Sequence, residues 1–245
     1  MKFIRCKNYE EMSRVAANLL EETIAEKPDA VLGLATGSTP EGMYAELCRD
    51  YKDGKVDFSH VTTVNLDEYC NLPVEHEQSY RTFMNVNLFD HVNLRKDHTF
   101  LPDGNAADLN AEAVRYEKLV AAAGGIDLQF LGIGHDGHIG FNEPADTLFV
   151  DTHVTALKPS TIKDNSRFFA SEKEVPKRAM TMGIGTIFNA RSVLLVANGK
   201  AKANAIKAML EGDVDPSCPA SILKLHNKVY VVVDEDAASL LTEWR

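Results

Sequence analysis

Residues 131–144 read LGIGHDGHIGFNEP: an apolar run over 126–133 stops at glycine, and the chain then presents Asp136, His138, Asn142 and Glu143. Apolar strands that end in glycine and hand over to polar side chains are how open α/β sheets build sites at their carboxyl edge. A histidine with a carboxylate on either side in sequence suits proton transfer. Nearby anions raise its basicity, and a hydrogen bond to one ring nitrogen fixes its tautomer. The plainer alternative is a Gly-rich polar loop on the surface. His135, His138 and Asp136 also read as metal ligands, but no further Cys or His cluster supports them and metal sites recruit three or four ligands. Proton chemistry without a metal is the stronger reading.

Three other stretches share this form. Ala35-Thr36-Gly37-Ser38-Thr39-Pro40 joins an apolar run directly to a helical pattern. Glycine allows close backbone approach, two hydroxyls follow, and a helix amino end offers free N–H groups and a positive dipole, which suits phosphate. The stretch is neither GxxxxGKS/T nor GxGxxG, so it does not indicate a nucleotide, and a capping turn also explains it. Residues 61–66 run into Asp67-Glu68-Tyr69. A partly desolvated carboxylate at a strand end can take a proton from carbon, although aspartate there also caps turns. Residues 192–197 run into Asn198-Gly199-Lys200-Ala201-Lys202. A lysine in a first helical turn opposes the helix dipole unless an anion is present, so Lys202, with Lys200 in reserve, is the expected phosphate partner. Arg167, in Asn165-Ser166-Arg167-Phe168-Phe169, offers a guanidinium fork for the same group, or else a solvated surface charge. Phosphate at one end and carbon-acid chemistry at the other describe a sugar-phosphate site.

The surrounding pattern must bring these strand ends together. Helices are expected over 9–25, with Met12, Val15, Ala16, Leu19 and Leu20 on one face, over 41–51 after Pro40, and over 79–89. Further helices are expected from an Asp108 cap to about 122, over 200–210, and from Glu235 onward. Strands are expected over 30–35, 61–66, 126–133, 192–197 and 228–233. That alternation predicts one α/β domain over 1–245, a mostly parallel, doubly wound, Rossmann-like sheet with helices on both faces. Residues 151–175, rich in Thr, Ser, Lys and Arg and carrying Pro159, break the rhythm and read as a lid or as a surface excursion.

The chain has 245 residues, 44% of them hydrophobic, which is enough for a substantial core. Its 26 basic and 36 acidic residues give a net charge of −10, which argues against nucleic acid or an anionic membrane as partner. An anionic substrate therefore needs a local basic pocket. Cys6, Cys48, Cys70 and Cys218 are widely separated, as expected of reduced thiols in a cytoplasmic protein. The amino-terminal MKFIRCKNYEEM is not expected to act as a signal peptide, and no stretch nears the ~18 apolar residues of a membrane span.

The stretches LGLATGSTP, TTVNLDEY, LGIGHDGHIGFNEP, NSRFF, VPK followed by TMGIGT, and NGKAKA resemble the glucosamine-6-phosphate deaminase family across nearly the whole chain. The resemblance implies that Asp67 is the base removing the C2 proton of the open-chain amino sugar. It implies that His138 catalyses ring opening, with Asp136 and Glu143 tuning and orienting it. Thr36, Gly37, Ser38, Thr39, Arg167 and Lys202 would hold the phosphate, with no metal and no organic cofactor. Hexameric, regulated members use an arginine and a lysine after the FNEP motif to bind N-acetylglucosamine 6-phosphate. His153 and Thr155 stand at those positions, so that activation is expected to be absent, and the oligomeric state is left open with a monomer as one option. Two rivals share the general fold: a 6-phosphogluconolactonase, which would need no C2 base, and a non-catalytic sugar-phosphate sensor of the kind found in transcription regulators.

Overall fold

A computed structural model describes residues 1–244. The chain runs β1 (Lys2–Cys6), α1 (Tyr9–Glu26), β2 (Val31–Leu34), α2 (Ser38–Lys52), β3 (Thr62–Asn65), β4 (Asp67–Tyr69), α3 (Tyr80–Met84) and β5 (Thr99–Phe100). It continues with α4 (Leu109–Ala122), β6 (Leu128–Leu131), β7 (His153–Ala156), α5 (Pro159–Asn165), β8 (Arg178–Thr181), α6 (Ile184–Phe188), β9 (Ser192–Ala197), α7 (Ala203–Glu211) and β10 (Val229–Asp234).

Seven strands form one sheet in the order β1-β10-β9-β6-β2-β3-β5, every pair parallel. Strands β2, β6 and β9 are buried along their whole length, which is why they read as near-continuous apolar runs. After β2 the chain steps outward one way through β3 and β5. It then returns to β6 and steps the other way through β9 and β10. Right-handed crossovers put the connecting helices on opposite faces for the two directions, as expected of a doubly wound fold. The direction reverses between β2 and β6, so the crevice lies beyond Leu34 and Leu131. The loop of Gly37 and the loop of His138 are the two that flank it.

A second, antiparallel sheet, β4-β8-β7, stands at that carboxyl edge. The chain enters it at Leu66, whose N–H donates to Leu34 of the main sheet at 2.8 Å and whose carbonyl accepts from Met182 at 2.8 Å. Asp67 is the first residue past this junction.

Several expectations are corrected. The stretch 151–175 is not irregular throughout: it begins as β7 because Val154 and its neighbours pair with β8, and only the part from α5 onward lies outside both sheets. Residues 79–89 form α3 and then a wider π turn over Asn85–Phe89, where the Asn87 amide donates to the Phe83 carbonyl at 2.8 Å and competes with the α ladder. Residues 200–202 form a 3-10 turn before α7. No helix starts at Glu235: the Asp234 carboxylate accepts from Ala237 at 2.7 Å, a local side-chain bond that closes turns instead, and Trp244 packs on Phe3 at 5.6 Å. Among the described residues no helix is long and apolar enough to cross a membrane.

Candidate active site

The loop after β2 is built to leave backbone donors free. Gly37, at φ 97°, adopts a conformation that only glycine takes without strain, and it starts α2 with no side-chain cap. The buried Tyr44 hydroxyl donates to the Ala35 carbonyl at 2.6 Å and pins the turn. Thr36 and Ser38 accept nothing from the helix start, and the Thr39 hydroxyl donates to Asn198 at 3.1 Å, tying this loop to the one after β9. There Gly199, at φ 84°, donates to both Asp234 carboxylate oxygens at 3.0 Å and launches the turn that carries Lys202.

Lys202 is half-buried and has no carboxylate in salt-bridge contact among the described residues. Burial lowers its pKa, and the nearby Arg167 charge lowers it further against the opposing pull of Asp164 and Asp136. A half-buried ammonium beside a guanidinium is relieved by an anion. Arg167 lies over the Phe168 ring at 4.6 Å and donates to the Ser38 hydroxyl at 3.4 Å. Arg167 thus touches Ser38, and the Thr39–Asn198 bond joins the Gly37 loop to the loop that leads to Lys202. Lys200 is exposed, and no contact ties it to these residues.

Asp67 and Glu68 diverge because successive strand residues point to opposite faces. Glu68 accepts from the N–H groups of Tyr69, Tyr80 and Arg81 at 2.8, 3.0 and 3.0 Å, so it fastens β4 to the start of α3. Asp67 is only 7% exposed, and no hydrogen bond from a described residue reaches its carboxyl. Burial, with the Glu68 charge adding to it, pushes its pKa up to about 8. Tyr69, Tyr80, Phe141 and Phe169 form an aromatic wall close by, with Tyr69 4.7 Å from Tyr80 and 5.9 Å from Phe169.

The His138 loop is held by glycines and by Asp136. Gly134 donates to the His138 carbonyl at 2.9 Å, and Gly137 takes φ 87°. The Asp136 carboxylate lies 2.6 Å from His138 Nδ1 and also accepts from the His138 N–H at 3.3 Å. That pairing puts the Nδ1 proton toward Asp136 and leaves Nε2 for other work. Burial disfavours the Asp136 anion, but the bond and charge from His138 outweigh it and hold the carboxyl well below the usual range. The imidazole lies flat over Gly134, where an added Cβ would be 2.1 Å from Cε1. Gly134→Ala is therefore expected to displace the ring, lowering kcat about tenfold with substrate KM nearly unchanged. Steady-state kinetics check this.

The Asp67 strand and the His138 loop are fixed to the same two residues. Thr181 is the register partner of Asp67, and its hydroxyl accepts from the Phe141 N–H at 3.1 Å. The Asn142 amide donates to Met182 at 2.8 Å and Ile139 at 2.9 Å. Gly140, at φ 58°, leaves no room for a Cβ, which would meet the Thr181 hydroxyl at 2.7 Å.

Glu143 makes its hydrogen bonds outside the His138 loop. Its carboxylate accepts from the Lys158 N–H at 3.3 and 3.2 Å and from the Thr161 hydroxyl, at the amino end of α5, and no bond joins it to His138. The free N–H groups and dipole of that helix start capture the anion. His135 bonds Asp164 at 3.0 Å, away from His138, and among the described residues no three His, Cys, Asp or Glu side chains cluster as metal ligands. Asn165 donates to the Tyr69 hydroxyl at 2.9 Å. Sequence reasoning missed Thr181, Tyr69 and Asn165 as parts of the site, although the TMGIGT, LDEY and NSRFF stretches contain them.

A parallel sheet with uncapped backbone donors after β2, a buried carboxyl after β3 and an aspartate-held imidazole after β6 is a doubly wound α/β protein with its polar groups gathered at the carboxyl edge. The chain belongs to the family described as glucosamine-6-phosphate isomerases/6-phosphogluconolactonase, whose model matches residues 7–232. It is 52% identical to the glucosamine-6-phosphate deaminase of Clostridium perfringens (strain 13 / Type A), over 98% of this chain and 100% of that one. It is 51% identical to the protein of the same name in Thermoanaerobacter sp. (strain X514), over 99% of this chain and 96% of the other. The solved structure of a monomeric glucosamine-6-phosphate deaminase matches with a TM-score of 0.96 at 48% identity, over 98% of this chain and 100% of that one. The 6-phosphogluconolactonase of Trypanosoma brucei shares the fold, with a TM-score of 0.76 at 20% identity over 98% of each chain.

Proposed function

We propose that this protein is a glucosamine-6-phosphate deaminase, converting glucosamine 6-phosphate and water to fructose 6-phosphate and ammonia. The observation that carries the reading is an unbonded, buried Asp67 carboxyl and an Asp136-held His138 imidazole on two segments fixed to the same pair, Thr181 and Met182.

In this reading His138 Nε2 moves a proton from the O1 hydroxyl to the ring oxygen, which opens the pyranose to its aldehyde. Asp67 then removes the C2 proton. The electron pair forms the C1–C2 double bond, and the aldehyde oxygen gains a proton given up by the C2 ammonium, which leaves a neutral enolamine. Return of a proton to C1 gives the C2 imine. Water adds at C2, and ammonia leaves to give the ketone. The substrate's C2 ammonium, next to Asp67, supplies the opposite charge that brings the carboxyl into its anionic form. Asp136 holds the imidazole and balances its charge. Glu143 acts one step removed, by securing the start of α5.

The phosphate sits against Thr36, Gly37, Ser38 and Thr39, with Arg167 and Lys202 supplying positive charge. Lys202→Ala is expected to raise KM about 30-fold and Arg167→Ala somewhat less, with kcat changed little. If either left KM unmoved in initial-rate assays, the cradle would be assigned wrongly. The part of 151–175 from α5 onward serves as a lid, latched by the His135–Asp164, Asn165–Tyr69 and Arg167–Ser38 contacts.

His153 and Thr155 line a cavity of about 170 Å³ beside Glu143. His153 stacks on Phe149 at 4.3 Å, and burial lowers its pKa, so it is uncharged where an activator phosphate would need a cation. Rate curves are therefore expected to be hyperbolic and identical with and without N-acetylglucosamine 6-phosphate. The protein works as a monomer, like the matched structure, and in the cytoplasm, where its four unpaired, buried thiols remain reduced.

The test is formation of fructose 6-phosphate and ammonia from glucosamine 6-phosphate with chelator present. Consumption of 6-phosphogluconolactone without ammonia release from the amino sugar would favour the lactonase reading instead. Binding without turnover of either compound would favour the sensor.

A further inference from the structure

We infer that Tyr9 is a positioning residue for the phosphate cradle: its hydroxyl is wedged into the first turn of α2 and aims the N–H groups that face the phosphate. The inference rests on the reading of that cradle given above. Tyr9 opens α1, behind the Asn8 cap, and is half-buried. Gly42 donates its N–H to the Tyr9 hydroxyl at 2.8 Å, and that hydroxyl lies 3.0 Å from the Ser38 carbonyl and 3.2 Å from the Thr39 carbonyl. In a regular helix the N–H of residue 42 bonds the carbonyl of residue 38 directly. The Tyr9 hydroxyl touches both of these groups, so it adds a side-chain grip to the turn in which α2 begins at Ser38.

The consequence lies on the other side of the peptide plane. In a trans peptide the carbonyl and the following N–H point in opposite directions, so a grip on the Ser38 carbonyl fixes where the Thr39 N–H points. That group lies in the turn expected to meet the phosphate, next to the Ser38 hydroxyl that Arg167 touches. Gly42 makes the arrangement possible: an added Cβ would be 2.8 Å from Tyr9 Cε1 and 2.4 Å from the Ser13 hydroxyl. A tyrosine that only braced α1 against α2 would need neither the hydroxyl nor its place in the turn.

The experiment compares full-length Tyr9→Phe, Gly42→Ala and Lys202→Ala with the parent, reading KM, kcat, melting temperature and the competitive inhibition constant of inorganic phosphate. Tyr9→Phe is expected to raise KM and the phosphate inhibition constant together by about fivefold, with kcat within twofold, and Gly42→Ala is expected to act in the same direction. A lower melting temperature with both constants unmoved would overturn the inference and leave Tyr9 as a brace. If Lys202→Ala weakens phosphate and Tyr9→Phe does not, the inference fails alone. If none of the three variants weakens phosphate, the cradle reading fails and the inference fails with it.

Discussion

Replacing Asp67 by asparagine is expected to lower kcat by about 10³-fold while substrate binding and the fold are retained. The reason is specific to this carboxyl. It is buried with no hydrogen-bond donor on it, and its neighbour Glu68 adds negative charge, so its pKa stands at about 8 against an ordinary 3.8. A base of that strength is matched to a carbon acid near neutral pH, but in the free enzyme it must first lose its own proton. In the parent, kcat/KM should therefore fall as pH drops below about 8. The asparagine variant should show only a small residual rate without that limb.

The same group has a measurable cost in stability. Below pH 3.8 the carboxyl is protonated folded and unfolded alike. Between 3.8 and about 8 the unfolded chain releases the proton that the folded chain keeps, so stability declines across that window and then levels off. Asparagine removes this dependence. The variant is expected to gain about 5 kcal/mol at pH 8 relative to the parent, and little at pH 4, in denaturant titrations at the two pH values. A variant that lost activity and stability together at every pH would place Asp67 among the structural residues.

The elements whose chemistry was visible in sequence are those where a buried strand ends abruptly. At Leu34, Leu66, Leu131 and Ala197 the apolar run stops and a glycine or a carboxylate follows within a few residues, and topology brings those ends to one edge. β1 escaped notice because this edge strand reads KFIRC, with Lys2 and Arg5 leaving only two apolar residues between them, and β5 pairs through only two residues. The antiparallel sheet escaped because β4 and β8 are short and pair across more than a hundred residues of sequence. Local periodicity carries no trace of such partners.

Within the site, residue type fixed what could be done but not which donor each acid would meet. Asp136 found the histidine two residues along. Glu143, five residues along, found the backbone at the start of α5, because the fold brings an unpaired N–H group to it. Thr181 and Tyr9 work through backbone atoms of other segments, and nothing in their own neighbourhoods of sequence advertises that.

The Asp136–His138 pair leads to the second large effect. His138→Gln is expected to slow turnover by about 10²-fold, less than Asp67→Asn, because amino sugars also open spontaneously in water and a small open-chain fraction can still bind. Glutamine keeps a polar group near Asp136 but cannot carry a proton from one oxygen to another. An open-chain alditol analogue of the substrate should bind the variant as tightly as it binds the parent, since it needs no ring opening, and added imidazole should restore part of the rate. Asp136→Asn leaves the ring in place and removes the acceptor that orients the Nδ1 proton, so it is expected to cost at least tenfold in kcat. Were His138→Gln to lose the alditol analogue as well, the imidazole would belong to binding, and the division of labour between ring opening at His138 and carbon-acid chemistry at Asp67 would be wrong.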